Sequence, residues 1–257
     1  MIFVAAGTQD ARELIAYLLM RGFVVAASVV SDYGRLLLPA HENLIVNAEP
    51  LDGAALKNYL LDRGITAVVD ATHPYAAQIS ATAMKICREL DLPYLRYERP
   101  AWSADYDKVE RVADYEAAAA AAAKYARSGE TVFLTTGSRS LPIFCNSPAL
   151  RERRIVARVL PTTKVLAACE DLGILPKDIV AMQGPFSQGL NEELFRAYEA
   201  KVIVTKDAGR LGGVDTKLSA AARLSLPVVM IERPKLNYEQ MANDFEQVAT
   251  WLKGIEQ

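Results

Sequence analysis

The feature that most constrains the fold is a regular alternation of short, β-branched apolar runs with longer segments of helical periodicity. Residues 2–6 have the pattern of a buried strand, residues 11–21 follow with a helical pattern, and Gly22 is placed to cap that helix. Residues 23–30 then return to a strand pattern. Strands that alternate with helices require right-handed βαβ crossovers, so the pattern predicts a largely parallel sheet.

The same alternation continues along the chain and starts afresh after Arg99-Pro100. Further strands are predicted at residues 44–46, 66–71, 93–97, 108–112, 131–135, 155–160, 179–182, 202–205 and 228–231, and further helices at residues 52–63, 74–90, 115–127, 163–172, 191–198, 217–224 and 238–253. We therefore expect an α/β protein with two lobes of similar architecture, at residues 1–100 and 101–257. The last helix is free to pack on either lobe.

The composition supports a core that needs neither disulfides nor metals. Of the 257 residues, 51% are hydrophobic, and the formal net charge is −2. This balance gives no general attraction to nucleic acid, so an anionic ligand needs a local cluster of Arg and Lys. The three cysteines are widely spaced and form no zinc-ligand set, which favours a reducing, cytoplasmic location without a metal site. Early charges in the apolar N-terminus argue against a signal peptide or membrane span.

The loop after the first strand is the first candidate for ligand binding. Ligands of open parallel sheets bind beyond the carboxyl ends of the strands, and Gly7, Thr8 and Gln9 lie there at the start of a helix. A glycine lets the backbone approach a pyrophosphate, and free N–H groups of the helix N-terminus would bind it. We expect the pyrophosphate of a dinucleotide here. The loop lacks the GxGxxG pattern, so an ordinary tight turn remains the alternative.

The end of the second predicted strand is the candidate adenosine site. A carboxylate at this point usually binds the ribose, whereas hydroxyl groups and Arg accept a 2′-phosphate. Both kinds occur, since Asp32 favours NADH while Ser31 and Arg35 favour NADPH. The alternative is a solvated turn.

The loop after the strand at residues 66–71 carries an unusual set of polar side chains. Thr72, His73 and Tyr75 follow directly, and His73 is one of only two histidines in the chain. His73 is the candidate acid, with Thr72 and Tyr75 as weaker donors, and Thr72 is also a candidate cofactor contact. A helix-capping or packing role for His73 is the structural alternative.

Three strand ends of the second lobe are rich in glycine, hydroxyl and cationic groups, which predicts an anion-binding rim. The candidate substrate-binding residues are Thr136, Gly137, Ser138, Arg139, Gln183, Ser187, Lys206, Asp207, Arg210, Gly212, Gly213 and Lys217, with Arg96 and Arg99 of the first lobe. Turn chemistry and surface ion pairs are the alternatives.

At these residues the sequence resembles the precorrin-6A reductase family, including the enzymes that act on cobalt-precorrin-6A. The resemblance rests on Gly7-Thr8, residues 70–76 (DATHPYA), residues 96–100 (RYERP) with Trp102, residues 135–137 (TTG), residues 183–187 (QGPFS), residues 205–209 (TKDAG) with Gly212, Gly213 and Lys217, and residues 232–234 (ERP). These segments span nearly the whole chain.

The resemblance implies two Rossmann-like lobes with parallel sheets and an interlobe cleft. It implies hydride transfer from NADPH or NADH to a ring double bond of a tetrapyrrole in cobalamin biosynthesis, with basic side chains binding its carboxylates. Two other functions stay open on the residues alone. One is an S-adenosylmethionine-dependent tetrapyrrole methyltransferase, and the other is a non-catalytic nucleotide-sensing module.

Overall fold

A computed structural model describes residues 1–29, 32–99, 106–207, 209 and 213–255, without the side chain of Asp32. The chain forms two compact units, Met1–Pro100 with Pro234–Gln257 and Ala101–Arg233. Within the described ranges, no helix is long and apolar enough to cross a membrane.

The first unit contains a parallel sheet with the strand order of a dinucleotide-binding fold. Its elements are β1 (Ile2–Ala5), α1 (Gln9–Met20), β2 (Val25–Ser28), α2 (Asp32–Leu36), β3 (Leu44–Asn47), α3 (Gly53–Asp62), β4 (Ala67–Asp70), α4 (Ala77–Leu90), β5 (Tyr94–Tyr97), β12 (Met241–Ala242) and α10 (Phe245–Ile255). The six described strands lie in the order β12-β5-β4-β1-β2-β3. The order reverses between β1 and β4, whose residues Ala5 and Asp70 are paired in register.

The second unit repeats this order. Its elements are β6 (Val109–Val112), α5 (Tyr115–Tyr125), β7 (Thr131–Leu134), α6 (Leu141–Cys145), β8 (Arg154–Val159), α7 (Thr163–Asp171), β9 (Ile179–Ala181), α8 (Gln188–Ala197), β10 (Ala200–Lys206), α9 (Val214–Arg223) and β11 (Val228–Ile231), with short 3-10 turns at Ser138–Ser140, Pro148–Leu150 and Pro176–Asp178. Its sheet has the order β6-β11-β10-β7-β8-β9, which reverses between β7 and β10. The predicted α/β class with two parallel sheets is confirmed.

The alanine run of the sequence forms one of the buried helices. Ala118, Ala119, Ala121 and Ala122 of α5 are all buried. Alanine combines the highest helix propensity with the smallest chiral side chain, so a helix of this composition lies close against its sheet. Asp114 caps its start by accepting a hydrogen bond from the Ala117 N–H group at 2.7 Å.

The C-terminal segment differs from the prediction in two ways. Residues from Pro234 onward belong to the first unit, which corrects the assignment of 101–257 to the second lobe. The helix predicted at 238–253 begins only at Phe245, because residues 241–242 pair with β5 as the edge strand β12. The amide groups of Arg96 and Glu98 donate to residues of this segment, so sheet pairing overrides the local helix propensity.

Reciprocal capping fixes the observed start of α10. The Asp244 side chain accepts from the Gln247 N–H group at 2.8 Å, and the Gln247 side chain accepts from the Asn243 N–H group at 2.9 Å. Val248, Ala249 and Leu252 of this helix then pack into the same core cluster as the buried side chains of α1.

Candidate functional site

The loop between β1 and α1 has the geometry expected of a phosphate-binding turn. Gly7 has a φ of +146° and is exposed, and a Cβ atom built on it would meet no heavy atom within 4 Å. The backbone is therefore open to a ligand in a conformation that favours glycine. α1 begins two residues later, so its free N–H groups lie at the same point. The residues present fit a pyrophosphate group.

Thr8 joins this loop to the loop that follows β4. Its hydroxyl oxygen accepts from the Ala11 N–H group at 3.1 Å, which caps α1, and the hydroxyl donates to the Ala71 carbonyl at 3.4 Å. The hydroxyl is thus used inside the protein. The predicted contact of Thr8 with a cofactor remains a prediction that its backbone, more than its hydroxyl, is placed to make.

The candidate adenosine region after β2 is described only in part. Ser31 and the Asp32 side chain lie outside the described residues. Arg35 is exposed in the last turn of α2, within the segment that follows β2. Gln9 is also exposed, and its amide donates to the Glu13 carboxylate at 2.9 Å.

A buried ion cluster lies at the carboxyl ends of β4 and β5. Arg96 is 0% exposed and pairs with the Asp70 carboxylate at 2.9 Å and with the Glu98 carboxylate at 2.9 Å. Burial alone would raise the pKa of Asp70, but Arg96 and hydrogen bonds from Ser80, Tyr94 and Thr72 hold this pKa below its ordinary value. The structure therefore contradicts the predicted substrate contact of Arg96, because its guanidinium is enclosed and committed to internal partners.

Thr72 is part of this cluster. Its hydroxyl donates to Asp70 at 2.7 Å and accepts from Arg96 at 3.1 Å, and its N–H group donates to Asp70 at 3.0 Å. The single hydroxyl hydrogen is therefore already used. The structure thus gives Thr72 a place in the turn instead of the predicted role of a proton donor.

His73 and Tyr75 follow in the same turn and are partly buried. The Nδ1 atom of His73 accepts from the Tyr75 N–H group at 3.2 Å, and the two ring centroids are 5.6 Å apart. A nitrogen that accepts a hydrogen bond carries no proton, so this geometry assigns the ring proton to Nε2. Protonating Nδ1 would cost this bond, which disfavours the imidazolium form that a general acid needs.

Arg99 is held on the surface of the first unit. Its guanidinium pairs with Glu13 at 2.8 Å and Asp10 at 3.4 Å, and its Nε atom donates to the Tyr97 hydroxyl at 3.0 Å. Two carboxylates therefore already balance its charge. The geometry provides no support for the predicted substrate contact.

The loop after β7 lies at the reversal point of the second sheet. Thr136 is buried and accepts from the Ser140 hydroxyl at 2.8 Å, and Gly137 has a φ of +82°. This turn leaves Ser138 partly buried and Arg139 exposed. Gly137 and Arg139 are therefore placed where a ligand of this sheet would bind.

Burial and mutual repulsion lower the pKa values of three cations in the second unit. Burial and nearby Arg139 lower the pKa of Lys206 at the end of β10. Burial, together with Arg158 and Lys206, lowers the pKa of Lys217 to about 7, against a smaller opposing effect of Asp215. The Lys217 side chain is 8% exposed, and no described residue forms a hydrogen bond or ion pair with it. A buried ammonium group without a counter-ion is characteristic of an anion site.

Arg158 completes this cationic cluster, which we define as Arg139, Arg158, Lys206 and Lys217. Its Nη1 atom donates to the buried Asn191 side chain at 2.7 Å, and its guanidinium carbon lies 4.1 Å from the Phe186 ring centroid. Burial lowers the pKa of Arg158 to about 10. The sequence analysis missed Arg158 because it considered residues after each strand, whereas this arginine lies inside the last turn of β8.

Asp207 has an internal role that the sequence did not indicate. It is 3% exposed, and its carboxylate pairs with Arg111 at 3.4 Å and with Arg233 at 3.8 Å. The Arg233 Nε atom also donates to the Asp207 carbonyl at 2.9 Å. The structure contradicts the predicted substrate contact of Asp207, since the carboxylate is enclosed by two arginines and would repel an anion.

The other predicted residues of the second unit occupy turns. Ser187 caps α8 by accepting from the Leu190 N–H group at 3.2 Å, and Gln183 is exposed after β9. Gly213 precedes α9 with a φ of +68°. Arg210 and Gly212 lie outside the described residues, as does Trp102. No group of three or more His, Cys, Asp or Glu side chains placed to hold a metal ion occurs in the described part of the chain.

Two Rossmann-type units, one with an open glycine turn and one with a buried cationic cluster, define a two-unit α/β protein of the nucleotide-binding type. The family model described as "Precorrin-6x reductase CbiJ/CobK" matches residues 1–253, and the chain belongs to this family.

Individual relatives agree with this assignment. The chain is 38% identical to a cobalt-precorrin-6A reductase of Priestia megaterium over 249 residues, covering 96% of each chain. It is 32% identical to a precorrin-6A reductase of Rhodobacter capsulatus over 253 residues, covering 98% of this chain and 95% of that protein. A solved structure named CobK precorrin-6A reductase has a TM-score of 0.80 at 31% identity, covering 99% of this chain and 96% of that one. The resemblance inferred from the sequence motifs is confirmed.

Proposed function

We propose that this protein reduces one ring double bond of precorrin-6A or cobalt-precorrin-6A in cobalamin biosynthesis, using a reduced nicotinamide dinucleotide. Membership of a family of reductases is the observation that carries this proposal. The alternative of a methyltransferase finds no support among the relatives compared above. The non-catalytic alternative does not explain the buried cationic cluster of the second unit.

The first unit is the proposed cofactor unit. The open backbone at Gly7 and the start of α1 would bind the pyrophosphate, and the segment from Ser31 to Arg35 would bind the adenosine end. We propose NADPH over NADH, because Arg35 is an exposed cation placed for a 2′-phosphate. The turn at residues 71–75 follows β4, the strand that adjoins β1, and would therefore contact the nicotinamide end.

The second unit is the proposed substrate unit. The macrocycle carries many carboxylates, and the cationic cluster offers partners for them at the carboxyl ends of β7, β8 and β10. A substrate carboxylate beside Lys217 would supply the counter-ion that the described residues do not provide. Binding would then stabilise the charged form of this side chain.

The chemistry asks little of individual side chains. When bound, the reduced nicotinamide donates a hydride from C4 to one carbon of the double bond, a proton adds to the neighbouring carbon, and the nicotinamide is left oxidised. The task of the protein is to hold both partners in contact and to exclude competing reactions. His73 remains a proposed proton source, and water is the other.

A binding titration separates these functions. We expect purified protein to bind NADPH more tightly than NADH, and to bind S-adenosylmethionine no better than an unrelated nucleoside. Tight binding of S-adenosylmethionine without dinucleotide binding would favour the methyltransferase instead. We expect the protein in the cytoplasm, in keeping with its three free cysteines.

A further inference from the structure

The buried Arg96 is placed to act on the turn that follows β4. Its Nη2 atom donates to the Thr72 carbonyl at 3.1 Å, while Nη1 donates to the Thr72 hydroxyl at 3.1 Å and to the Asp70 carboxylate at 2.9 Å. The Nε atom and Nη2 also donate to Glu98 at 3.0 Å and 2.9 Å. All three nitrogen atoms of the guanidinium are therefore committed.

The effect of this network is to fix every polar group of Thr72. Arg96 binds its carbonyl and hydroxyl, and Asp70 binds its N–H group and receives its hydroxyl hydrogen. From the other side, the Thr8 hydroxyl reaches the Ala71 carbonyl at 3.4 Å. The turn is thus held between the β1 loop and the ion cluster without any ligand.

Further contacts keep Arg96 and Asp70 in place. The Tyr94 hydroxyl donates to the second carboxylate oxygen of Asp70 at 2.7 Å, and the Tyr238 ring centroid lies 5.5 Å from the guanidinium carbon. Stability alone is a poor explanation for such a cluster. Buried ion pairs can often be replaced by packed apolar side chains at no cost in stability, whereas they are well suited to fixing one geometry.

We propose that Arg96 is a positioning residue, which sets the 71–75 turn in the conformation that holds the nicotinamide end of the cofactor for hydride transfer. This inference rests on the proposed function. Arg96 touches neither reacting partner and acts through Thr72. The adenosine end, after β2, is outside its reach in the network of contacts described above.

The substitution Arg96→Lys tests this role while keeping the charge. A lysine is a single point donor and cannot bind Thr72, Asp70 and Glu98 together. A reacting atom displaced by about 1 Å can cost roughly 100-fold in rate. We expect kcat to fall by about 10- to 100-fold, while the affinity for 2′-phospho-AMP, which lacks the nicotinamide, stays within about twofold of the parent.

Controls separate positioning from general damage. Arg88→Lys alters an exposed ion pair with Glu239 in the same unit and should leave all values unchanged. Thr72→Val removes the hydroxyl and Thr72→Ser restores it, so this pair provides the test if Arg96→Lys fails to fold. We expect Val to reproduce the loss of kcat and Ser to recover most of it.

Hydrogen exchange of the turn gives a readout that does not depend on activity. We expect the Thr72 amide to exchange at least tenfold faster in Arg96→Lys than in the parent. Unchanged exchange would overturn the positioning role, as would a loss of 2′-phospho-AMP affinity parallel to the loss of kcat. A parent protein that shows protected exchange but never oxidises NADPH would instead refute the proposed function and leave the clamp on Thr72 intact.

Discussion

Replacing Lys217 with methionine should stabilise the second unit in the absence of ligand, because it removes a buried charge that no described residue neutralises. The substitution keeps the length and most of the volume of the side chain. Burial and the neighbouring Arg158 and Lys206 lower the pKa of Lys217 from 10.5 to about 7. At or below neutral pH, the folded protein therefore carries a penalty that the unfolded chain does not.

The magnitude follows from the difference between the two pKa values. Each pKa unit corresponds to about 1.4 kcal/mol, so the penalty at pH 7 is at most about 5 kcal/mol, and relaxation and water entry make it smaller. The folded-state pKa is below the unfolded-state pKa, so between about pH 7 and 10.5 the unfolded chain binds more protons. The parent therefore gains stability as the pH rises through this window, and the penalty falls to about 1 kcal/mol near pH 9.5.

Differential scanning calorimetry at pH 7 and pH 9.5, in buffers free of polyvalent anions, measures this difference. We expect Lys217→Met to exceed the parent by a few kcal/mol in free energy of unfolding at pH 7, with most of the advantage gone at the higher pH. Lys201→Met, at an exposed position of β10, is the matched control and should show no such pH dependence. A Lys217→Met variant with the same advantage at both pH values, or with none, would refute the inference of an uncompensated buried ammonium.

Three further expectations concern the proposed cofactor loop and the proton. Gly7→Ala should weaken NADPH binding at least tenfold with little loss of stability, because the added Cβ meets no protein atom within 4 Å and intrudes only on the ligand space; unchanged affinity in a fluorescence titration would remove this loop from the site. Arg35→Ala should reduce the preference for NADPH over NADH, and equal preference in variant and parent would exclude a 2′-phosphate contact. His73→Ala should slow turnover by no more than about 100-fold and remove the rate loss with rising pH if His73 is the donor; complete loss of activity with intact nucleotide binding would show instead that His73 is indispensable.

The fold followed from the sequence because buried parallel strands are short β-branched runs separated by helices. The strand at residues 228–231 and the start of the helix at Tyr115 are as predicted. The C-terminal segment failed because its return to β5 is a pairing between distant parts of the chain. Local propensity carries no information about such a partner.

The site was predicted in outline, and the errors share one cause. Residues after strands were taken as ligand contacts, but Arg96 and Asp207 are buried and paired with opposite charges inside their own units. Alternation along a strand places Arg96 and Glu98 on the same face, a signal that could have indicated an internal pair. The depth of a side chain, by contrast, depends on which element covers it, as Tyr238 covers Arg96.

The central claim is hydride transfer from a reduced nicotinamide to the macrocycle, and isotope transfer measures it most directly. NADPH carrying deuterium on the transferred C4 position is mixed with the protein and, in separate anaerobic reactions, with precorrin-6A and cobalt-precorrin-6A. We expect at least one macrocycle to gain two hydrogens, one of them deuterium, in step with oxidation of the nicotinamide. A protein that binds NADPH and both macrocycles but transfers deuterium to neither would contradict the account.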